Sequence, residues 1–131
     1  MRKDKNILIT GGTGFLGKAV VDTLQAKGYT NLSPIGSSID LTCCEETLDF
    51  FAKKKPEVVI HLAATVGGIG ANKDNPGLFM YNNLVMGSNT IEASRINKVE
   101  KFIMVGTVCA YPKFTPVPFK EEDIWNGYPE E

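Results

Sequence analysis

The chain has 131 residues, of which 43% are hydrophobic and 22% charged, and its formal net charge is −1. This balance is typical of a soluble globular domain, and it gives no reason to expect nucleic acid or a membrane as a partner. No hydrophobic run approaches the roughly 18 residues of a membrane helix. The three cysteines, two of them adjacent, indicate reduced thiols, and no Cys/His spacing suggests a metal site. We therefore expect one cytoplasmic domain over residues 1–131.

The first predicted elements are a strand, a glycine-rich turn and a helix. Residues 6–10 read Asn-Ile-Leu-Ile-Thr, a short apolar run that predicts a buried strand. Residues 11–17 hold the glycines of the turn, and apolar residues recur at helical spacing over residues 16–27. Gly28 is suited to the C-terminal cap of this helix.

A weaker strand and a second helix are predicted next. The strand covers residues 32–36 and is weakened by Pro34, which has no backbone N–H. Thr42 followed by Glu45 is a capping-box signature, so we expect a helix to begin there. Pro56 ends this helix.

The clearest strand opens the second half of the chain. Residues 57–64 are β-branched and apolar on both faces, as in a parallel strand covered on both sides. A glycine-rich loop is predicted over residues 66–75, followed by a long helix from Pro76 to about Asn97. Residues 101–105 read as another buried strand. Four prolines then prevent any long regular element, namely Pro112, Pro116, Pro118 and Pro129.

Alternation of strands and helices predicts an α/β fold of the Rossmann type, a doubly wound parallel sheet that is incomplete, with about four strands. We expect the strand order 3-2-1-4, with ligands bound at the carboxyl ends of the strands near the switch point. The outer edge of the last strand would be open. An open edge favours a homodimer or another form of self-association.

The glycine turn predicts a dinucleotide site because it follows a strand and opens a helix. Its first glycine takes the tight turn, its second leaves room for a pyrophosphate, and its third lets helix and strand pack closely. The first helical N–H groups then face the phosphates. The alternative is a plain strand-to-helix turn. The predicted cofactor contacts in the turn are Gly11, Thr13, Gly14, Phe15, Leu16 and Gly17.

The residues after the second strand bear on the choice between NADP and NAD. An NAD site usually has an acid there for the ribose hydroxyls. Ser37 and Ser38 stand in this region instead, and their hydroxyls could bind a 2′-phosphate. Asp40 is an alternative ribose anchor. We predict NADP as the cofactor, with NAD as the second choice.

Several further stretches carry a resemblance to a known family. They are Asp40-Leu41-Thr42, His61 to Ile69, Asn83-Leu84, Ser88-Asn89, and Cys109-Ala110-Tyr111-Pro112-Lys113. Together with the glycine turn, these stretches resemble the extended short-chain dehydrogenase/reductase family, and within it the GDP-sugar epimerase/reductases. The resemblance covers residues 7–127. It implies a nucleotide-sugar substrate, GDP-4-keto-6-deoxy-mannose.

The resemblance also implies roles for individual residues. Thr107 falls at the position of the catalytic serine, which hydrogen-bonds the sugar carbonyl. Cys109 falls at the position of the base that takes a proton from the carbon next to the ketone, a task that suits a thiolate. The positions implied to contact the cofactor are Asp40 and Leu41 at the adenine, Ala63, Ala64 and Thr65 at the ribose, and Asn83.

The chain departs from the family pattern in the residues that reduce the ketone. No tyrosine has a lysine four residues after it, and the single histidine, His61, lies inside a strand and reads as a core residue. We therefore expect the N-terminal portion of a longer enzyme, which alone does not reduce the keto sugar. Two alternatives stay open: a non-catalytic dinucleotide-binding module, and another nucleotide-sugar epimerase or dehydratase.

Overall fold

A four-stranded parallel sheet forms the centre of the fold in the computed structural model, which describes residues 1–129. The predicted α/β Rossmann-type fold is confirmed. The strands are β1 (Ile7–Thr10), β2 (Leu32–Ile35), β3 (Val58–His61) and β4 (Lys101–Met104). The helices are α1 (Phe15–Ala26), α2 (Cys44–Lys54), α3 (Ile69–Asp74) and α4 (Pro76–Ile96). Two short 3₁₀ turns follow, at Val108–Ala110 and Glu121–Trp125.

The core lies on both faces of the sheet because side chains alternate along each buried strand. On one face, Ile7 and Ile9 pack with side chains of α1. On the other face, Leu8 and Val59 pack with Phe51 of α2 and with residues of α4. Helices therefore cover both faces, which explains why β1 and β3 carry apolar side chains on both faces.

The strand order is β2-β1-β3-β4, so the predicted order 3-2-1-4 is wrong. That order would place β2 in the interior of the sheet, where Pro34 would leave a gap in a hydrogen-bond ladder. Within residues 1–129, β2 instead pairs with β1 alone, as an edge strand. The connections through α1 and α2 therefore diverge to opposite sides of β1, and the switch point lies between β1 and β3.

β4 is not the buried strand that its sequence predicts. In the described part of the chain it pairs only with β3, and the solvent-exposed fractions of Ile103, Met104 and Val105 are 38%, 46% and 52%. Its apolar residues are thus available for contact with another polypeptide segment. A second difference is α3, six residues long, which lies within the predicted loop over residues 66–75.

Neither a membrane helix nor a metal cluster is found in residues 1–129. No helix there combines the length and hydropathy needed to cross a bilayer. No group of three or more His, Cys, Asp or Glu side chains in the same range could hold a metal ion.

Candidate functional site

A cleft of about 770 Å³ opens where β1, β2 and β3 end, at the switch point of the sheet. Its lining comes from the turn after β1 with the first residues of α1, from the loops after β2 and β3, and from Met86 of α4. Of the cofactor-binding residues predicted from the sequence, all except Ser38 and Asn83 line this cleft. They are Gly11, Thr13, Gly14, Phe15, Leu16, Gly17, Ser37, Asp40, Leu41, Ala63, Ala64 and Thr65.

The glycine turn has the geometry that its sequence predicts. Gly11 has a φ of +68°, a conformation that side chains disfavour, and a Cβ there would lie 2.8 Å from the backbone nitrogen of Ala63. Gly17 packs against the turn itself. Gly14 is the N-cap of α1, and within the described residues no side chain caps this helix. The N-terminus of α1 therefore presents backbone N–H groups and a partial positive charge to the cleft.

The loop after β2 holds an ionised carboxylate at one end of the cleft. The backbone N–H and the hydroxyl of Thr42 donate to Oδ1 of Asp40 at 2.9 and 2.6 Å. The hydroxyl bond is the main cause of a lowered pKa for this carboxyl. The predicted capping box is therefore wrong, because Cys43 is the N-cap of α2 and Thr42 is engaged with Asp40. Glu46, not Glu45, reaches back and accepts the N–H of Asp40 at 3.2 Å.

The loop after β3 is held from α4. The side chain of Asn83 accepts the backbone N–H of Thr65 at 2.7 Å and donates to the carbonyl of Thr65 at 3.0 Å. Asn83 is thus outside the cleft lining and contacts a residue that belongs to it. Its effect on a ligand in the cleft would be indirect.

A buried hydrogen-bond network lies beneath the cleft. His61 is 5% exposed, and its Nδ1 lies 2.8 Å from the hydroxyl oxygen of Thr10. That oxygen also accepts the N–H of Ala63 at 3.3 Å. Burial lowers the pKa of His61 from the ordinary 6.5, so the ring is neutral at neutral pH. The interpretation of His61 as a satisfied core residue agrees with this geometry.

His61 should make the stability of the fold depend on pH. The unfolded chain has the ordinary histidine pKa of 6.5, and the folded chain has a lower one. The unfolded state therefore binds a proton that the folded state does not, so the free energy of unfolding should fall as pH drops below 6.5. Urea unfolding above and below that pH measures the effect. His61→Gln should lose most of this dependence, and an equal dependence in both proteins would contradict the assignment.

The two predicted catalytic residues follow β4 and do not line the cleft. Both residues are exposed. Cys109 lies in the 3₁₀ turn at Val108–Ala110, and Thr107 is the residue that precedes this turn. The Thr107 hydroxyl oxygen accepts the N–H of Cys109 at 3.2 Å. Because β4 is parallel to β3, this turn lies at the same end of the sheet as the cleft.

Comparison with known proteins adds the family to this geometry. The model of the NAD dependent epimerase/dehydratase family matches residues 7–130. The chain belongs to this family. A GDP-L-fucose synthase of Sinorhizobium fredii is 39% identical over 123 residues, which are 94% of this chain and 39% of the relative. The chain thus spans about two fifths of the length of such curated relatives.

Two solved structures of GDP-sugar proteins share the fold. A GDP-D-glycero-L-gluco-heptose synthase from Campylobacter jejuni, determined in the presence of NADPH, matches with a TM-score of 0.91 and 34% identity, over 99% of this chain and 38% of its own. A GDP-L-fucose synthetase from Naegleria fowleri bound to NADP matches with a TM-score of 0.80 and 29% identity, over 99% of this chain and 39% of its own. Both are GDP-sugar proteins by name.

Several residues at the cleft were not identified from the sequence. Met86 and Val66 line it, and Thr10 lies beneath it. Asn89 donates to the carbonyls of Leu41 and Thr42 at 2.9 and 3.2 Å. The sequence signal for Asn89 was its place in a stretch that resembles the family, but neither spacing nor periodicity indicates that its partners are backbone atoms 47 and 48 residues away.

Proposed function

We propose that this chain is the cofactor-binding part of a cytoplasmic nucleotide-sugar epimerase/reductase that uses NADP. The proposed reaction is that of GDP-L-fucose synthase, the epimerisation and keto reduction of GDP-4-keto-6-deoxy-mannose. The observation that carries the proposal is the cleft at the switch point, bordered by an uncapped helix N-terminus. The names of the related GDP-sugar enzymes support the substrate class.

The cleft suggests where each part of a dinucleotide binds. The pyrophosphate fits the N-terminus of α1, next to Gly14, where backbone N–H groups favour negative charge. The adenosine fits the β2 side, along Leu41 and Asp40, and the nicotinamide points toward the β3–β4 side. When bound there, the reduced cofactor supplies a hydride. The protein orients it and keeps the two reacting molecules together.

Thr107 and Cys109 are proposed to act on the sugar at the end of β4. Because the Thr107 oxygen accepts the N–H of Cys109, its own hydroxyl proton is directed elsewhere and can be donated to the sugar carbonyl. The Cys109 thiolate would take the proton from the carbon next to that carbonyl. The hydrogen bond from Thr107 stabilises the negative charge that then develops on the carbonyl oxygen.

The preference for NADP can be tested with a charge. Ser37 lines the cleft, Ser38 adjoins it, and Asp40 is the only charged residue among the described residues of the lining. Ser38→Asp should weaken NADPH binding by roughly tenfold or more, because a carboxylate repels a 2′-phosphate, and should leave NADH binding nearly unchanged. Ser88→Asp, on the exposed side of α4, is the matched control. A wild-type chain that prefers NADH would overturn the NADP proposal.

The chain alone is proposed to bind cofactor without reducing the keto sugar. No tyrosine in it has a lysine four residues on, so the pair that protonates the ketone oxygen in this family is missing. Absorbance of NADPH, followed with the keto sugar and purified chain, should stay constant. Oxidation of NADPH at an enzymatic rate would contradict this.

We predict that the chain self-associates through β4. Within residues 1–129, β4 pairs only with β3, so its outer edge is open, and its apolar residue Ile103 is exposed. Ile103→Lys should shift the chain toward monomer, because a lysine on an edge strand opposes strand pairing. Light scattering after gel filtration measures this shift, with Ile96→Lys on α4 as the control. A wild-type chain that is monomeric at high concentration would show that β4 does not pair.

A further inference from the structure

Helix α4 contributes three residues to the neighbourhood of the cleft, at intervals of three. Met86 is buried and lines the cleft directly. Asn83 and Asn89, one on either side of it, are partly buried and lie outside the lining. Residues three apart adjoin on a helix surface, so these three side chains occupy one continuous sector of α4.

The two asparagines hold two different loops of the cleft. Asn83 makes both an accepting and a donating bond to the backbone of Thr65, in the loop after β3. Asn89 donates to the carbonyls of Leu41 and Thr42, in the loop after β2. Both loops lie beyond the ends of their strands, where the sheet ladder no longer fixes the backbone.

Each bond pair therefore defines the position of residues that border the cleft. Thr65 and Leu41 both line it. Thr42 also donates two hydrogen bonds to the carboxylate of Asp40. Asn89 is therefore linked through Thr42 to Asp40, the residue proposed to lie beside the adenosine. A short amide side chain that makes two hydrogen bonds to one loop leaves that loop little freedom to move. Both loops are held in this way by the same helix, the 21-residue α4.

We propose that Asn89 and Asn83 are positioning residues for the two ends of the bound dinucleotide. Asn89 fixes the loop that contacts the adenosine half, and Asn83 fixes the loop that contacts the nicotinamide half. The inference rests on the proposed function, because it assumes that a dinucleotide lies across the switch point with its adenosine on the β2 side.

The test compares the binding of NADPH with the binding of its adenosine half alone. Calorimetric titration gives the dissociation constants of NADPH and of adenosine 2′,5′-bisphosphate, which lacks the nicotinamide half. Asn89→Asp should weaken both ligands by a similar factor, about tenfold, because both donor bonds are lost. Asn83→Asp should weaken NADPH by a similar factor and leave the bisphosphate unchanged.

Three controls separate positioning from a general loss of structure. Asn97→Asp removes a side-chain bond to the carbonyl of Ala93 at the far end of the same helix and should leave both ligands unaffected. Asn89→Ala and Asn83→Ala repeat the comparison without an added charge. The inference would be overturned if Asn83→Asp and Asn89→Asp weakened binding of the bisphosphate equally, or if neither variant weakened binding of any ligand. A wild-type chain that binds neither ligand would instead overturn the proposed function, and the inference with it.

Discussion

Replacing Gly17 with alanine is expected both to destabilise the fold and to weaken dinucleotide binding strongly. A Cβ at this position would lie 2.1 Å from the carbonyl oxygen of Gly11 and 2.6 Å from the Cα of Gly12. Both are backbone atoms, so the clash is relieved only if α1 moves away from the turn. Overpacking of this kind costs about 1–3 kcal/mol. The movement also displaces the helix N-terminus from the phosphate position, which should lower the affinity for NADPH by roughly a hundredfold.

Urea unfolding and NADPH titration measure the two effects of Gly17→Ala. Gly77→Ala is the matched control, because Gly77 lies in the first turn of α4 and a Cβ there meets no atom within 4 Å. This control should gain up to about 1 kcal/mol from its better helix propensity and keep its affinity for NADPH. Wild-type affinity in Gly17→Ala would show that the turn does not bind the phosphates.

Replacing Phe51 with alanine should cause the largest loss of stability. Phe51 is fully buried, and among residues 1–129 it is the largest of the fully buried side chains. Removing such a side chain costs about 3–5 kcal/mol, through lost burial and the cavity that remains. The free energy of unfolding of a small domain is about 5–15 kcal/mol, so the variant should be close to unfolding at room temperature. Leu41 and Met86 belong to the same core cluster and line the cleft, so affinity for NADPH should fall as well.

Phe50→Ala provides the comparison for Phe51→Ala. The two phenylalanines are neighbours on α2, with ring centroids 6.5 Å apart, but Phe50 is only partly buried. Its loss should cost about 1–2 kcal/mol, in proportion to the apolar area it covers. Denaturant midpoints measured for both variants test the ranking. Equal losses would mean that α2 does not pack on the sheet as described.

The elements of the fold were predictable because their signals are local. The apolar run of β1, the helical spacing of α1 and the β-branched run of β3 predicted those elements within a few residues. The predicted order of the strands, 3-2-1-4, is wrong, because the order depends on which strands occupy the centre of the sheet. Pro34 carried that information, since a residue without an N–H belongs on an edge strand. Its effect was interpreted only as a weakening of β2.

The site was predictable to a similar extent, and for the same reason. The glycine turn is a contiguous segment whose sequence determines its geometry, and its residues line the cleft. The bonds from Asn83 and Asn89 join α4 to backbone atoms of distant loops, and a backbone acceptor has no sequence signature. The capping box at Thr42 was wrong because Asp40 competes for the same hydroxyl. The backbone partners of Asn83 and Asn89 are therefore identified only by the structure.

The proposed function requires the cleft at the switch point to bind a nicotinamide dinucleotide through the turn after β1. Calorimetric titration of NADPH and NADH into the purified chain and into Gly17→Ala tests it most directly. We expect each chain to bind one dinucleotide, NADPH more tightly than NADH, and Gly17→Ala to bind NADPH roughly a hundredfold more weakly. The absence of binding by either dinucleotide, or equal affinity in the wild type and Gly17→Ala, would contradict it.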